Sequence, residues 1–89
     1  MSMDTIYRIN PLFRLQWEEA QSCYVLLYPE GMVQLGGSSG EILQHIDGAK
    51  SVQEIADILS KKFNDPNVTG DVVEFIDVAA KQGWLNANQ

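Results

Sequence analysis

The spacing of hydrophobic residues in this 89-residue chain changes once, from a period of two to a helical period. In the first part, three apolar residues alternate with polar ones: Phe13, Leu15 and Trp17. This alternation predicts a strand with one buried face. The aromatic and β-branched run at 24–28 predicts a second strand, and a Pro-Glu-Gly turn at 29–31 precedes a short third strand at 32–35. The sequence therefore predicts a three-stranded antiparallel meander whose third strand lies at an edge.

Three helices are predicted after residue 36. Residues 38–41 and 51–54 each match a capping box, in which a serine and a glutamate three positions later satisfy free amides at a helix start. A third apolar stripe ends at Gly83. Its members are Val72, Val73, Ile76, Ala79 and Ala80. Strands followed by helices predict an α+β fold, here of winged helix-turn-helix character.

The length of the chain predicts one domain, since 89 residues leave no room for a second hydrophobic core. Residues 1–10 carry no strong pattern and are interpreted as a loose N-terminal lead-in. Residues 11–89 are predicted to form the domain.

The charge of the chain disfavours two classes of partner. The chain contains twelve acidic residues and only six lysines and arginines, so its formal net charge is −6. Nucleic acid and anionic membranes are therefore disfavoured, whereas a basic peptide or protein surface is favoured. The chain shows neither a signal peptide nor a membrane-spanning run, and its one cysteine, Cys23, cannot form an internal disulfide. These features predict a cytoplasmic protein.

Catalytic and metal-binding signatures are absent from the sequence. His45 is the one histidine, which makes a zinc site improbable. The glycine-rich link at 36–40 lacks the lysine and the spacing of a phosphate-binding loop. The chain is therefore predicted to be no enzyme and to use no cofactor or metal.

The segment Leu-Leu-Tyr-Pro-Glu-Gly-Met at 26–32 resembles the segment that marks the coenzyme PQQ synthesis protein D (PqqD) family. Other pieces follow in the family's order: Asp47-Gly48, Ser-Val-Gln-Glu-Ile at 51–55, and Gly83-Trp84-Leu85. The resemblance extends from about Pro11 to Leu85. Asp47-Gly48 and the 51–55 segment also occur in the wider class of precursor-recognition domains, so these two motifs indicate that class and not the PQQ pathway in particular.

The resemblance implies a function for the chain. PqqD-like proteins bind a PqqA-like precursor peptide and present it to PqqE-like radical S-adenosylmethionine enzymes, without chemistry or a cofactor of their own. The chain is then a monomer, with a strand-exchanged dimer as the alternative. Two other functions stay open: recognition of a different ribosomally made modified peptide, and a winged-helix DNA-binding module. The acids Asp71, Glu74 and Asp77 on the third helix weigh against the DNA-binding module, because they would repel a polyanion.

The predicted mode of binding is β-augmentation, in which an extended peptide pairs with an edge strand. The third strand and the third helix are predicted to form the two walls of the groove. The expected peptide-binding residues are Met32, Val33, Gln34, Leu35 and Gly36 on the strand side, and Val73, Ile76, Asp77 and Ala80 on the helix. For Val72, Ile76 and Ala79 the alternative is plain core packing, which the position of the apolar stripe favours.

Overall fold

The computed structural model describes residues 2–87, which form six strands and three α-helices. The strands are β1 (Ile6–Ile9), β2 (Arg14–Glu18), β3 (Cys23–Tyr28), β4 (Gly31–Leu35), β5 (Asp47–Ser51) and β6 (Leu85–Ala87). The helices are α1 (Ser39–Gln44), α2 (Val52–Phe63) and α3 (Val68–Lys81), and a 3-10 turn at Glu19–Gln21 joins β2 to β3. Met1, Asn88 and Gln89, which the predicted lead-in and domain include, lie outside the described residues.

The meander predicted from the alternating pattern is present as the antiparallel sheet β2-β3-β4. Leu15, Leu26 and Val33 lie opposite one another across its three strands. The central strand β3 carries two fully buried residues, Val25 and Leu26, as expected for a strand with an apolar residue on each face. The strand β4 lies at the edge of the sheet, which confirms its predicted position.

A second antiparallel sheet, in the order β5-β1-β6, corrects the expectation of a loose lead-in. Residues 6–9 form its central strand, and Tyr7 is buried in the core. The amides of Val52 and Gln53 also donate to the carbonyls of Thr5 and Met3. The N-terminal residues are therefore held by both neighbouring strands and by the start of α2.

The core lies between the two sheets and the helices. Helix α2 buries the four residues Val52, Ile55, Ala56 and Leu59, whereas Phe63 near its end is 44% exposed. The corresponding stripe of α3 buries Val72, Ile76 and Ala79 completely. Helices α2 and α3 pack closely on each other and contact β5 and β6 of the second sheet, while α1 contacts β2 and β3 of the meander.

One of the two predicted capping boxes is formed. The Ser51 hydroxyl accepts from the Glu54 amide at 3.1 Å, and the Glu54 carboxylate accepts from the Ser51 amide at 2.9 Å. The box predicted at Ser38 is wrong: Ser38 is the N-cap of α1, but its side chain makes no capping bond. Its backbone angles of −89° and 1° differ from the extended conformation in which an N-cap side chain reaches the following amides.

Replacing Ser51 with alanine is expected to lower the free energy of unfolding by about 1 kcal/mol, because the amide of Glu54 loses its acceptor at the start of α2. Urea unfolding measures this change. Ser38→Ala is the matched control, since its hydroxyl caps nothing, and an equal loss in both variants would contradict the assignment of the box to Ser51 alone.

The segment Asp47-Gly48 forms the start of β5. Helix α1 is capped at His45, and Gly48 takes a positive φ of 78°. The Asp47 carboxylate accepts from the Lys50 side chain at 2.5 Å and from the amides of Ala49 and Lys50. The Lys50 ammonium first, and these amides second, lower the pKa of Asp47 to about 2. This turn positions β5 against β1.

The α+β class is confirmed. The structure adds three strands to the predicted elements: β1 before them, β5 between α1 and α2, and β6 after them. The winged helix-turn-helix likeness stays a prediction. Across residues 2–87, no helix has both the length and the apolar character needed to cross a membrane.

Candidate peptide-binding site

The outer edge of β4 is the first element of the candidate site. Within residues 2–87, β4 pairs with β3 and with no other strand. Tyr28 and Gly31 flank the two-residue turn, and the pair that closes such a turn is hydrogen-bonded. Because bonded and non-bonded pairs alternate along an antiparallel ladder, the backbone groups of Met32 and Gln34 point away from β3. The sheet therefore offers two residues with outward backbone donors and acceptors.

The side chains of β4 alternate between the two faces of the sheet. Leu35 is buried and Val33 is half-buried on the core side, whereas Met32 is 47% exposed and Gln34 is exposed on the other side. The Gln34 amide group donates to the side-chain carbonyl of Gln21. Gly36, which follows β4, has open space around it. All five strand-side residues predicted for the site thus lie along one edge.

A cavity of about 370 Å³ is the second element. It lies between the start of α1 and one face of α3. Helix α1 begins four residues after the last residue of β4. Its lining consists of Ser38, Ser39 and Ile42 from α1 and its N-cap, and Asp71, Glu74, Phe75 and Val78 from α3. Phe75 is half-buried and packs on Trp84 with a centroid distance of 6.5 Å, while Val78 is 47% exposed. The cavity is thus open and lined by apolar side chains beside two carboxylates.

The residues predicted on α3 do not line this cavity. Ile76 is 0% exposed, so its side chain belongs to the core. Val73 and Ala80 are partly buried against the core cluster, and the Asp77 carboxylate pairs with Lys81 at 3.1 Å. The reason is geometric: at 100° per residue, Val73, Asp77 and Ala80 lie on one flank of the buried stripe. Asp71, Phe75 and Val78 lie on the other flank.

The sequence could not distinguish these two flanks. Apolar residues and acids occur on both sides of the stripe formed by Val72, Ile76 and Ala79, so the hydrophobic pattern fixes the buried centre alone. One signal was present: Val78 is a large apolar residue outside the stripe, and such residues can mark binding surfaces.

A smaller cavity of about 280 Å³ lies near the glycine-rich link between β4 and α1. Trp17, Cys23 and Tyr24 contribute to its lining, together with Gly36 and Gly37. Trp17 packs edge-on against Tyr24 at 5.0 Å and is 48% exposed, which corrects the expectation of a strand face that is buried throughout. Cys23 is a free, half-buried thiol.

The described residues contain no cluster of three or more His, Cys, Asp or Glu side chains placed to hold a metal ion. His45 is half-buried at the end of α1. What the site offers is a strand edge and an apolar cavity, which together suit an extended polypeptide.

Comparison with known proteins identifies the family. A family model described as coenzyme PQQ synthesis protein D (PqqD) matches residues 23–85. The chain belongs to the PqqD family. The matched range begins with β3 and includes β4, all three helices and the start of β6. It therefore contains both elements of the candidate site.

Relatives in the PqqD family are similar over nearly the whole chain. A protein named PqqA binding protein from Methylococcus capsulatus is 42% identical, over 92% of this chain and 88% of its own length. Proteins of the same name from Pseudomonas aeruginosa and Klebsiella pneumoniae are 44% and 41% identical, over 94% and 100% of this chain and 92% and 98% of their own lengths.

Two solved PqqD structures share the fold. The solution structure of the PqqD truncation of Methylobacterium extorquens PqqCD is described as a functional, stand-alone recognition element for ribosomally synthesised and post-translationally modified peptides. It matches with a TM-score of 0.79 and 28% identity, over 96% of this chain and 93% of that one. The crystal structure of PqqD from Xanthomonas campestris matches with a TM-score of 0.59 and 28% identity, over 97% and 98% of the two chains. The resemblance read from residues 26–32 and the motifs after them is thus confirmed.

Proposed function

We propose that this chain is a non-catalytic peptide chaperone of pyrroloquinoline quinone biosynthesis, which binds the precursor peptide PqqA as an added strand on β4. The observation that carries the proposal is the unpaired edge of β4. The link after β4 leads into α1, and the first residues of α1 line the cavity between α1 and α3. The similar proteins named PqqA binding protein supply the identity of the peptide.

Backbone pairing alone gives modest affinity. Each hydrogen bond contributes a net free energy of about 0.5–1.5 kcal/mol, and the peptide loses conformational entropy when it becomes ordered. Met32 and Gln34 offer a small number of such bonds. Apolar side chains of the peptide must therefore contribute, and Phe75 and Val78 offer an apolar surface in the cavity between α1 and α3.

The second part of the proposal is presentation of the bound peptide to the radical S-adenosylmethionine enzyme PqqE. An added strand has side chains on both faces of the sheet. One set of alternate side chains faces this chain and the other set stays accessible on the Met32 side. A peptide held in this way is exposed to a second protein along its whole length. Addition of PqqE to the peptide complex should then produce a ternary species in sedimentation or size-exclusion experiments.

Amide NMR of the isotope-labelled chain, titrated with PqqA, tests the binding mode. The expected result is a set of shifts at Met32, Gln34 and Gly36 and along the 71–78 face of α3. The second sheet provides an internal reference, because β5 and β6 are also edge strands. Shifts concentrated on β5 or β6 would contradict docking at β4, and the absence of any shift at millimolar peptide would contradict PqqA as the ligand. A sequence-scrambled peptide of the same composition is the control for nonspecific binding.

A further inference from the structure

The cavity between α1 and α3 contains two carboxylates whose charge is not used by an ion pair among residues 2–87. The ion pairs found among residues 2–87 join Lys50 to Asp47, Lys62 to Glu41 and Lys81 to Asp77. Asp71 and Glu74, both exposed, take part in none of them. The cavity lining includes no lysine, arginine or histidine, so its electrostatic potential is negative.

The same cavity has an apolar floor. Ile42 is 2% exposed, Phe75 is half-buried, and Val78 presents a large apolar surface to solvent. A contiguous apolar surface with a polar rim is the usual form of a binding anchor. A ligand that fits this cavity therefore combines an apolar side chain with a positive charge.

The spacing of the two features along α3 suits an extended strand. Asp71 precedes Phe75 by one helical turn, a rise of roughly 6 Å. In an extended peptide, residues i and i+2 point to the same face and lie roughly 6.8 Å apart. One side chain can thus enter the apolar part of the cavity while the next on the same face reaches the carboxylates.

We infer that the site selects a precursor segment in which an apolar residue is followed or preceded, two positions away, by lysine or arginine. The apolar side chain packs on Phe75 and Val78, and the cationic side chain pairs with Asp71 and Glu74. This inference rests on the proposed function and adds the peptide feature that α3 recognises.

A local structural role accounts for one of the two acids. Asp71 lies in the first turn of α3, where a negative charge stabilises the helix dipole. Glu74 lies beyond that turn and gains little from the dipole. Glu74 is therefore the residue whose replacement tests recognition with the least effect on folding.

The test is the affinity of PqqA for charge variants, measured by calorimetry at low and physiological salt. Glu74→Lys is expected to weaken binding about tenfold, since it replaces an attraction with a repulsion at the cavity rim. Glu74→Gln is expected to weaken binding about threefold and to reduce its salt dependence. Asp77→Lys is the matched control, because it makes the same charge change on the other flank of α3 and is expected to leave the affinity within about twofold.

The outcomes separate this inference from the proposed function. If wild-type protein binds PqqA and Glu74→Lys binds equally well, the acidic recognition is overturned while peptide binding stands. If Glu74→Lys and Asp77→Lys weaken binding equally, net charge rather than the cavity is responsible, and the inference is also overturned. If wild-type protein does not bind PqqA at all, the proposed function itself fails. A PqqA variant with its cavity-facing basic residue changed to alanine should lose its sensitivity to Glu74→Gln.

Discussion

Gln34→Pro is expected to weaken binding of the precursor peptide by about tenfold or more while the domain stays folded. The amide of Gln34 points away from β3 and is one of the outward donors of the β4 edge. Proline removes that donor, and its ring occupies the space where an added strand would pair. Proline is tolerated on edge strands when the missing amide faces solvent, so the hairpin itself keeps its hydrogen bonds. Titration calorimetry with PqqA should show at least a tenfold loss of affinity, about 1.4 kcal/mol.

Gln34→Ala is the matched control for this prediction. It removes the side-chain hydrogen bond to Gln21 but keeps the backbone amide, so its affinity should stay close to that of wild type. If Gln34→Pro is folded, as judged by its amide spectrum, and still binds PqqA as tightly as Gln34→Ala, then β4 is not the docking edge.

Proline at Val33 is a poorer probe of the β4 edge than proline at Gln34. Val33 lies opposite Leu26 in a hydrogen-bonded pair of the ladder, so its amide donates toward β3. Val33→Pro therefore breaks the β3–β4 hairpin and is expected to unfold part of the domain. A loss of binding in that variant would not distinguish a missing site from a missing fold.

The parts of the fold that follow from local sequence rules were predictable. The meander followed from strict alternation and from the Pro-Glu-Gly turn at 29–31, and the α2 start followed from the Ser51–Glu54 capping box. Each of these signals lies within a few consecutive residues, where local conformation and burial agree.

The second sheet was missed because its strands are held by long-range pairing. Residues 6–9 form four positions of a strand, too short for a convincing period, although the sequence Ile-Tyr-Arg-Ile has high β propensity. The Asp-Gly-Ala-Lys-Ser segment of β5 has low propensity and becomes a strand through its partner β1. Tertiary context overrides propensity in such segments.

The candidate site was predictable on its strand side and not on its helix side. The edge position of β4 follows from the order of hairpins, whereas the groove-facing flank of α3 depends on where α1 lies relative to the buried stripe. No local pattern encodes that placement. Asp71, Phe75 and Val78 line the cavity, whereas Val73, Asp77 and Ala80 lie on the other flank of α3, and the peptide-binding role of either set stays a proposal.

Gly40→Ala is expected to destabilise the domain, although alanine normally favours a helix over glycine. Gly40 is buried in α1 against the ring of Tyr24. A Cβ atom at position 40 would lie 2.5 Å from Cδ2 and 2.8 Å from Cβ of Tyr24, so one of the two elements must move. Tyr24 is fixed by its edge contact with Trp17 and by the hydrogen bond from the Gln44 side chain to its hydroxyl. Overpacking of this kind costs about 1–3 kcal/mol in the free energy of unfolding.

Gly70→Ala supplies the matched control, since Gly70 lies in α3 and an added Cβ would have no atom within 4 Å apart from its chain neighbours and the backbone of its own helix. Because an alanine side chain meets no steric clash at position 70, its higher helix propensity should stabilise the domain by about 0.5–1 kcal/mol. The midpoint temperature of unfolding should therefore move in opposite directions for the two alanine variants, by roughly 4–8 °C for each kcal/mol in a domain of this size.

In a Tyr24→Ala background the cost of Gly40→Ala should largely disappear, because the two positions are coupled by direct contact. A Gly40→Ala variant as stable as wild type would contradict the close packing of α1 on β3, and with it the placement of α1 beside the cavity.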